Sequence, residues 1–180
     1  ECRPPSLAAE PGPSGPAAAQ APGTLRVAIN ADIRTNDPGV NRDGNTDAVM
    51  MHVLEGLVGL TENGDVAPLL AEKVEVSPDG KAYSFVLREG LTFHNGQPVT
   101  AADVAWTWKR YLAPATKWRC QSEFGGKGLT RIESVETPDA RTVVFHIDKP
   151  TALFLSVMAR PDCGGSAILP TPAIGGVGLM

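Results

Sequence analysis

Val74-Glu75-Val76-Ser77-Pro78-Asp79-Gly80-Lys81-Ala82-Tyr83-Ser84-Phe85-Val86-Leu87 decides the fold. Val74 and Val76 alternate with polar residues on one side of Ser77-Pro78-Asp79-Gly80, and Tyr83, Phe85 and Leu87 alternate on the other. Alternation of period two marks strands, and a Pro-Asp-Gly centre supplies the dihedrals of a tight turn, so the stretch predicts a β-hairpin. A second hairpin is read from Ile132-Glu133-Ser134-Val135 and Val143-Val144-Phe145-His146-Ile147, joined through Thr137-Pro138-Asp139-Ala140.

Between the hairpins, Thr100-Ala101-Ala102-Asp103 has the spacing of a capping box, with Asp in place of Glu. It introduces a helix with Val104, Trp108, Tyr111 and Leu112 on one side, and Pro114 limits its extent. Trp106 and Trp108 stand two residues apart and so cannot share a helical face; one belongs to the core and the other to an edge. After the second hairpin, Pro150 permits a helix bearing Leu153, Phe154, Val157 and Met158. From Pro161 onward Gly and Pro are frequent, and the chain stops at Met180 after Ile174-Gly175-Gly176-Val177 with the look of an unfinished fold.

Towards the amino terminus, Pro68 suits the first position of a short helix through Lys73, and Asn63-Gly64 marks a turn. Met50, Val53, Leu54, Leu57 and Val58 have helical spacing, with Asn45, Thr46 and Asp47 available to cap the first turn. A polar loop, residues 30–45, precedes them. Folded structure is expected to begin at Leu25-Arg26-Val27-Ala28-Ile29, whose apolar residues alternate like a strand. Residues 1–23 are dominated by Pro, Ala and Gly and read as a disordered tail, leaving 24–180 as the folded part. Cys2 stands where a lipid-modified Cys would tether an exported protein, and Ala19-Gln20-Ala21 fits a small-x-small cleavage pattern with no apolar region before it. With no initiator Met, any export signal is expected to have been removed.

At 180 residues the chain is long enough for a sizeable core, and 42% apolar with 20% charged residues is ordinary for a globular protein. A net charge of −4 gives no basic footprint, so no nucleic-acid partner is expected. No internal repeat is evident.

Glu55-Gly56-Leu57-Val58, Leu69-Leu70-Ala71-Glu72, the hairpin extended to Arg88, and Gly90-Leu91-Thr92-Phe93-His94-Asn95-Gly96-Gln97-Pro98-Val99-Thr100-Ala101-Ala102-Asp103-Val104 are more particular. Together they resemble solute-binding protein family 5, whose members include dipeptide, oligopeptide, nickel and opine binders. The resemblance covers residues 25–169, and complete members run far longer. It implies an α+β fold with a mixed sheet, β-hairpins and packed helices: the incomplete amino-terminal part of a two-lobed periplasmic binding protein of type II. It also implies a function: capture of a peptide, opine or related amino-acid-derived solute for an ABC importer, as a monomer with no cofactor, in partnership with a membrane permease. The location implied is periplasmic or extracellular. The loop 30–47 is similar to members related to opine binders. Competing readings are a sensor or adaptor that engages a membrane partner without import, and an enzyme on the same scaffold.

Given export, Cys120 and Cys163 are expected to form a disulfide, the alternative being two reduced cysteines in the core, with Cys2 unpaired. For solute contact the expected residues are Asp47, Trp118 and Arg119, the last two in a segment that resembles one lining the cleft in related binders. Asp47 would receive an ammonium group, Arg119 would clamp a carboxylate, and Trp118 would give an apolar wall. Arg34 and Asn36 are further candidates. The structural alternative is that Asp47 caps its helix and Arg119 is solvated.

No metal site is expected from His52, His94 and His146, which are far apart and lack Cys or acidic residues at ligand spacing. Gly164-Gly165-Ser166-Ala167 lacks the G-x-S-x-G pattern of a hydrolase, and catalysis is not expected. Gly125-Gly126-Lys127-Gly128 falls short of a phosphate-binding loop and reads as a surface turn.

Overall fold

A computed structural model describes Gly23, residues 25–40 and residues 43–171. Cys2, the Ala19–Ala21 pattern and the closing stretch 174–177 lie outside the described residues.

Both hairpins form. Strands β3 (Ala71–Val76) and β4 (Ala82–Leu87) pair antiparallel with Val74 opposite Phe85. Strands β5 (Ile132–Glu136) and β6 (Thr142–Ile147) pair antiparallel with Val135 opposite Phe145. The two hairpins join through β4 and β6, with Tyr83 opposite Phe145, giving one antiparallel sheet in the order β3-β4-β6-β5. The central strands bury alternate residues, Tyr83, Phe85 and Leu87 on β4 and Val143, Phe145 and Ile147 on β6. This one-sided apolar face needs a covering layer.

That layer is the helix α2 (Ala101–Leu112), which buries Val104, Trp108 and Tyr111. Its capping box holds, with Asp103 Oδ2 accepting from the Thr100 backbone N–H at 2.9 Å and the Thr100 hydroxyl at 2.7 Å. The rings of Trp108 and Phe145 meet edge to face at 5.1 Å, fastening helix to sheet. Trp108 is wholly buried while Trp106 is half-buried, as their spacing requires.

The amino-terminal elements differ from expectation in three places. The helix α1 (Gly44–Met50) ends at Met50 and is capped by Asp43, whose Oδ1 accepts from Asn45 N–H, so Asn45, Thr46 and Asp47 lie inside the helix. Leu57 and Val58 are buried, but Val58 belongs to a strand, β1 (Val58–Leu60), because Glu55 O instead receives the Ile168 N–H at 2.9 Å. Pro68 closes a strand, β2 (Val66–Pro68), rather than opening a helix. Beyond it Leu69 and Leu70 donate to Leu57 and Gly56 carbonyls, so pairing with β1 takes the hydrogen bonds a helix would need. Residues 25–29 form no strand and are exposed, since no described segment pairs with them. The Asn63-Gly64 turn joins β1 to β2, with Gly64 N–H bonded to Thr61 O.

At the carboxyl side, α3 (Gln121–Phe124) follows a 3-10 turn at Pro114–Thr116, and α4 (Phe154–Met158) leads into a second at Pro161–Ser166. Cys120 and Cys163 form a disulfide, with Cα atoms 5.5 Å apart.

Candidate functional site

Residues 34–40 form a loop and 43–47 a helix start, and Gly39 and Asp47 meet Arg119 in the segment that follows α2. Arg34 is exposed and reaches its own loop, with Nε 3.2 Å from Asp43 Oδ2. Its backbone N–H donates to Thr46 Oγ1 at 3.0 Å, and that hydroxyl donates to Asp43. Asp43, pulled partly out of solvent yet held by Thr46 and Asn45, keeps its carboxyl below the usual aspartate value. Asn36 is half-buried on the same loop.

Two arginines fasten this loop at its ends. Arg110 Nη2 meets Asp37 Oδ2 at 2.5 Å. Arg119 Nη2 meets both oxygens of Asp47, at 2.9 and 3.0 Å, while its Nε donates to Gly39 O at 3.1 Å. The backbone N–H of Arg119 donates to that same carbonyl at 2.9 Å. Gly39 is required there: at φ +70° it is left-handed, and an added Cβ would lie 2.5 Å from Cys163 O and 2.6 Å from Trp118 Nε1.

Trp118 turns inward. Its ring is 2% exposed, stacks on Tyr111 at 4.5 Å, and donates from Nε1 to Cys163 O at 2.9 Å. Tyr111 in turn donates to Ala167 O at 2.6 Å, and its burial pushes the phenol far above its ordinary range. Asp47, Trp118 and Arg119 are thus brought together, with Asp47 and Arg119 as partners of each other and Trp118 in the core beneath them. Sequence reasoning missed Asp37, Gly39 and Arg110. A glycine directly after Asp37-Pro38 was the one local signal.

Beyond the C-terminal end of α1 an open groove of about 370 Å³ runs between residues 51–55, 92–95 and 168–170. Leu54, Leu70, Ile168 and Leu169 form a buried apolar floor, and His52, Glu55, His94 and Asn95 stand exposed at its rim. His52 Nδ1 lies 2.7 Å from Ala48 O, which makes that nitrogen the donor and leaves Nε2 as acceptor in the neutral ring. Among the described residues, the one cluster of three potential metal donors is Cys120, Asp162 and Cys163, and its two sulfurs are already spent in the disulfide. The groove offers a ligand oriented charges, backbone groups and an apolar floor.

The chain is similar to known proteins in both sequence and structure. A model described as "Bacterial extracellular solute-binding proteins, family 5 Middle" matches residues 65–163. Dipeptide-binding protein DppE of Bacillus subtilis is 34% identical over 137 residues, covering 69% of this chain and 25% of the relative. Di/tripeptide-binding protein 4 of Pseudomonas aeruginosa is 37% identical over 142 residues, covering 72% and 26%. Among solved structures, the periplasmic binding protein AgaA of A. tumefaciens R10, in complex with agropinic acid, superposes with a TM-score of 0.69 at 34% identity, covering 77% of this chain and 26% of that one. The chain therefore spans roughly a quarter of the length of the relatives it matches.

Proposed function

Since the chain belongs to the bacterial extracellular solute-binding proteins of family 5, we propose that it forms part of one lobe of the capture component of an ABC importer. The solute is a peptide, an opine or a related amino-acid-derived molecule, held between two lobes and handed to a membrane permease. The observation that carries this reading is the superposition on AgaA at 34% identity over 77% of the chain. The local chemistry supports it. A sheet and helix packed around one aromatic core make a rigid frame, and capture by lobe closure needs such a frame on each side of the solute. Family and relatives are transport-binding proteins, and no covalent step is required of these residues. No helix among the described residues is long and apolar enough to cross a membrane.

Calorimetric titration of the intact protein with agropinic acid, alanyl-alanine and glutathione tests the reading. Saturable binding of at least one probe is expected. Silence from all three overturns it.

A further inference from the structure

We infer that Arg119 is a positioning residue for solute capture, acting through Gly39 in the loop 34–40 and Asp47 in the helix start 43–47 rather than by touching the solute. The inference rests on the capture reading above and assigns a task to one side chain within it.

The argument begins with the guanidinium's hydrogen bonds. Arg119 has a side chain only 10% exposed, and Asp47 fills its Nη2 while Gly39 O takes its Nε. A carboxylate arriving from solution would have to displace Asp47 and leave that carboxylate, 22% exposed, without its cation. The fork already engages two separate points, Gly39 and Asp47. A planar guanidinium holds such a geometry because its donors are fixed relative to each other, which an ammonium cannot reproduce.

The loop cannot shift as a soft body either. Gly39 lies against Cys163 and Trp118 with no room for a methyl group, and Gly164 lies equally tight against Pro38 and Gly39. A second pin, Arg110 to Asp37, fixes the other end. The pinned stretch carries Arg34, 73% exposed, and Asn45, whose Nδ2 donates to Asn30 Oδ1 at 2.7 Å on the surface. Arg119 therefore sets where an exposed cation and an amide pair stand, while itself staying covered. A binding group displaced by about 1 Å loses much of its value, so a covered residue that fixes such groups governs affinity without contact.

The test uses the intact protein with Arg119→Lys, measured against alanyl-alanine, alanyl-alaninamide and agropinic acid. Loss of the fork's second attachment weakens each bound probe by about tenfold, the equivalent of one charge-assisted hydrogen bond. The free dipeptide and its amide weaken by the same factor. A loss confined to probes with a free carboxylate would mean that Arg119 clamps the solute directly and would overturn the inference. Hydrogen exchange of backbone amides 34–40 and 43–47 supplies a second readout that needs no solute. These amides exchange about tenfold faster in Arg119→Lys than in the parent while those of β4 and β6 do not change. Unchanged exchange in the loop also sinks the inference, even if no probe binds the parent and the capture reading fails separately. Should Arg119→Lys not fold, Asp47→Asn, which keeps the shape and removes the charge, is read in the same two ways.

Discussion

Gly56 shows how little room one residue has in this molecule. An added Cβ would lie within the van der Waals shell of the Gly165 carbonyl oxygen, and every atom it would meet is backbone, which cannot swing aside. Gly165 itself sits in a run of three left-handed residues, Gly164, Gly165 and Ser166, all buried, so it has few ways to yield. Gly56→Ala is therefore expected to destabilise the fold by about 3 kcal/mol, read from urea midpoints. Gly96 offers the contrast: its φ is +82° but nothing lies within 4 Å of an added Cβ. Gly96→Ala carries only the left-handed cost, about 1 kcal/mol. Equal losses at the two sites would show that close packing at Gly56 is not what the sequence is protecting.

Among elements, the two hairpins solve one problem twice. Asp79 accepts from the Ser77 hydroxyl at 2.5 Å and from the Lys81 N–H at 3.1 Å, and these bonds lower its carboxyl below the ordinary 3.8. Asp139 accepts from the N–H groups of Arg141 and Thr142, both at 2.8 Å, and is lowered likewise. A carboxyl lowered on folding contributes stability above its unfolded value and loses it as pH falls through the folded one. Urea midpoints are accordingly expected to hold from pH 7 to about pH 5 and to fall below about pH 4. The double variant Asp79→Asn with Asp139→Asn starts lower and loses less on acidification. A parallel acid limb in that variant would place the effect elsewhere. These turns were legible because Pro-Asp and the alternation around it are local signals, as is the capping box at Thr100. The stretches 50–58 and 66–73 misled because remote partners decide them: Ile168 claims Glu55, and β1 claims the residues around Pro68; 25–29 misled because an alternating pattern makes a strand only where a partner is present, and no described segment pairs with it. The candidate site was half legible. Asp47 and Arg119 drew notice for their chemistry, but their mutual pairing spans 72 positions and leaves no mark in either neighbourhood.

At the scale of the whole molecule, the disulfide joins the loop beneath Arg119 to the turn that receives Gly39, Gly56 and Trp118. Cys120 is 3% exposed and Cys163 fully buried, so a reductant meets the sulfurs only after local opening. The bridge closes a separation of 43 residues, which on the chain-entropy model contributes about 4 kcal/mol. The closed segment contains β5, β6 and α4, so without the bridge the unfolded chain gains the freedom of half the sheet. Cys120→Ala with Cys163→Ala is expected to lower the unfolding free energy by up to about 4 kcal/mol. Dithiothreitol is expected to act at the rate of opening, with little dependence on its own concentration. The sulfurs sit one residue from Arg119 and one from Gly164, so the double variant also loosens residues 34–40 and 43–47, and their backbone amides exchange faster than those of the parent. If the unfolding free energy of the double variant matched that of the parent, the core around Trp108, Tyr111 and Trp118 would hold this junction alone, and the bridge would be incidental to it.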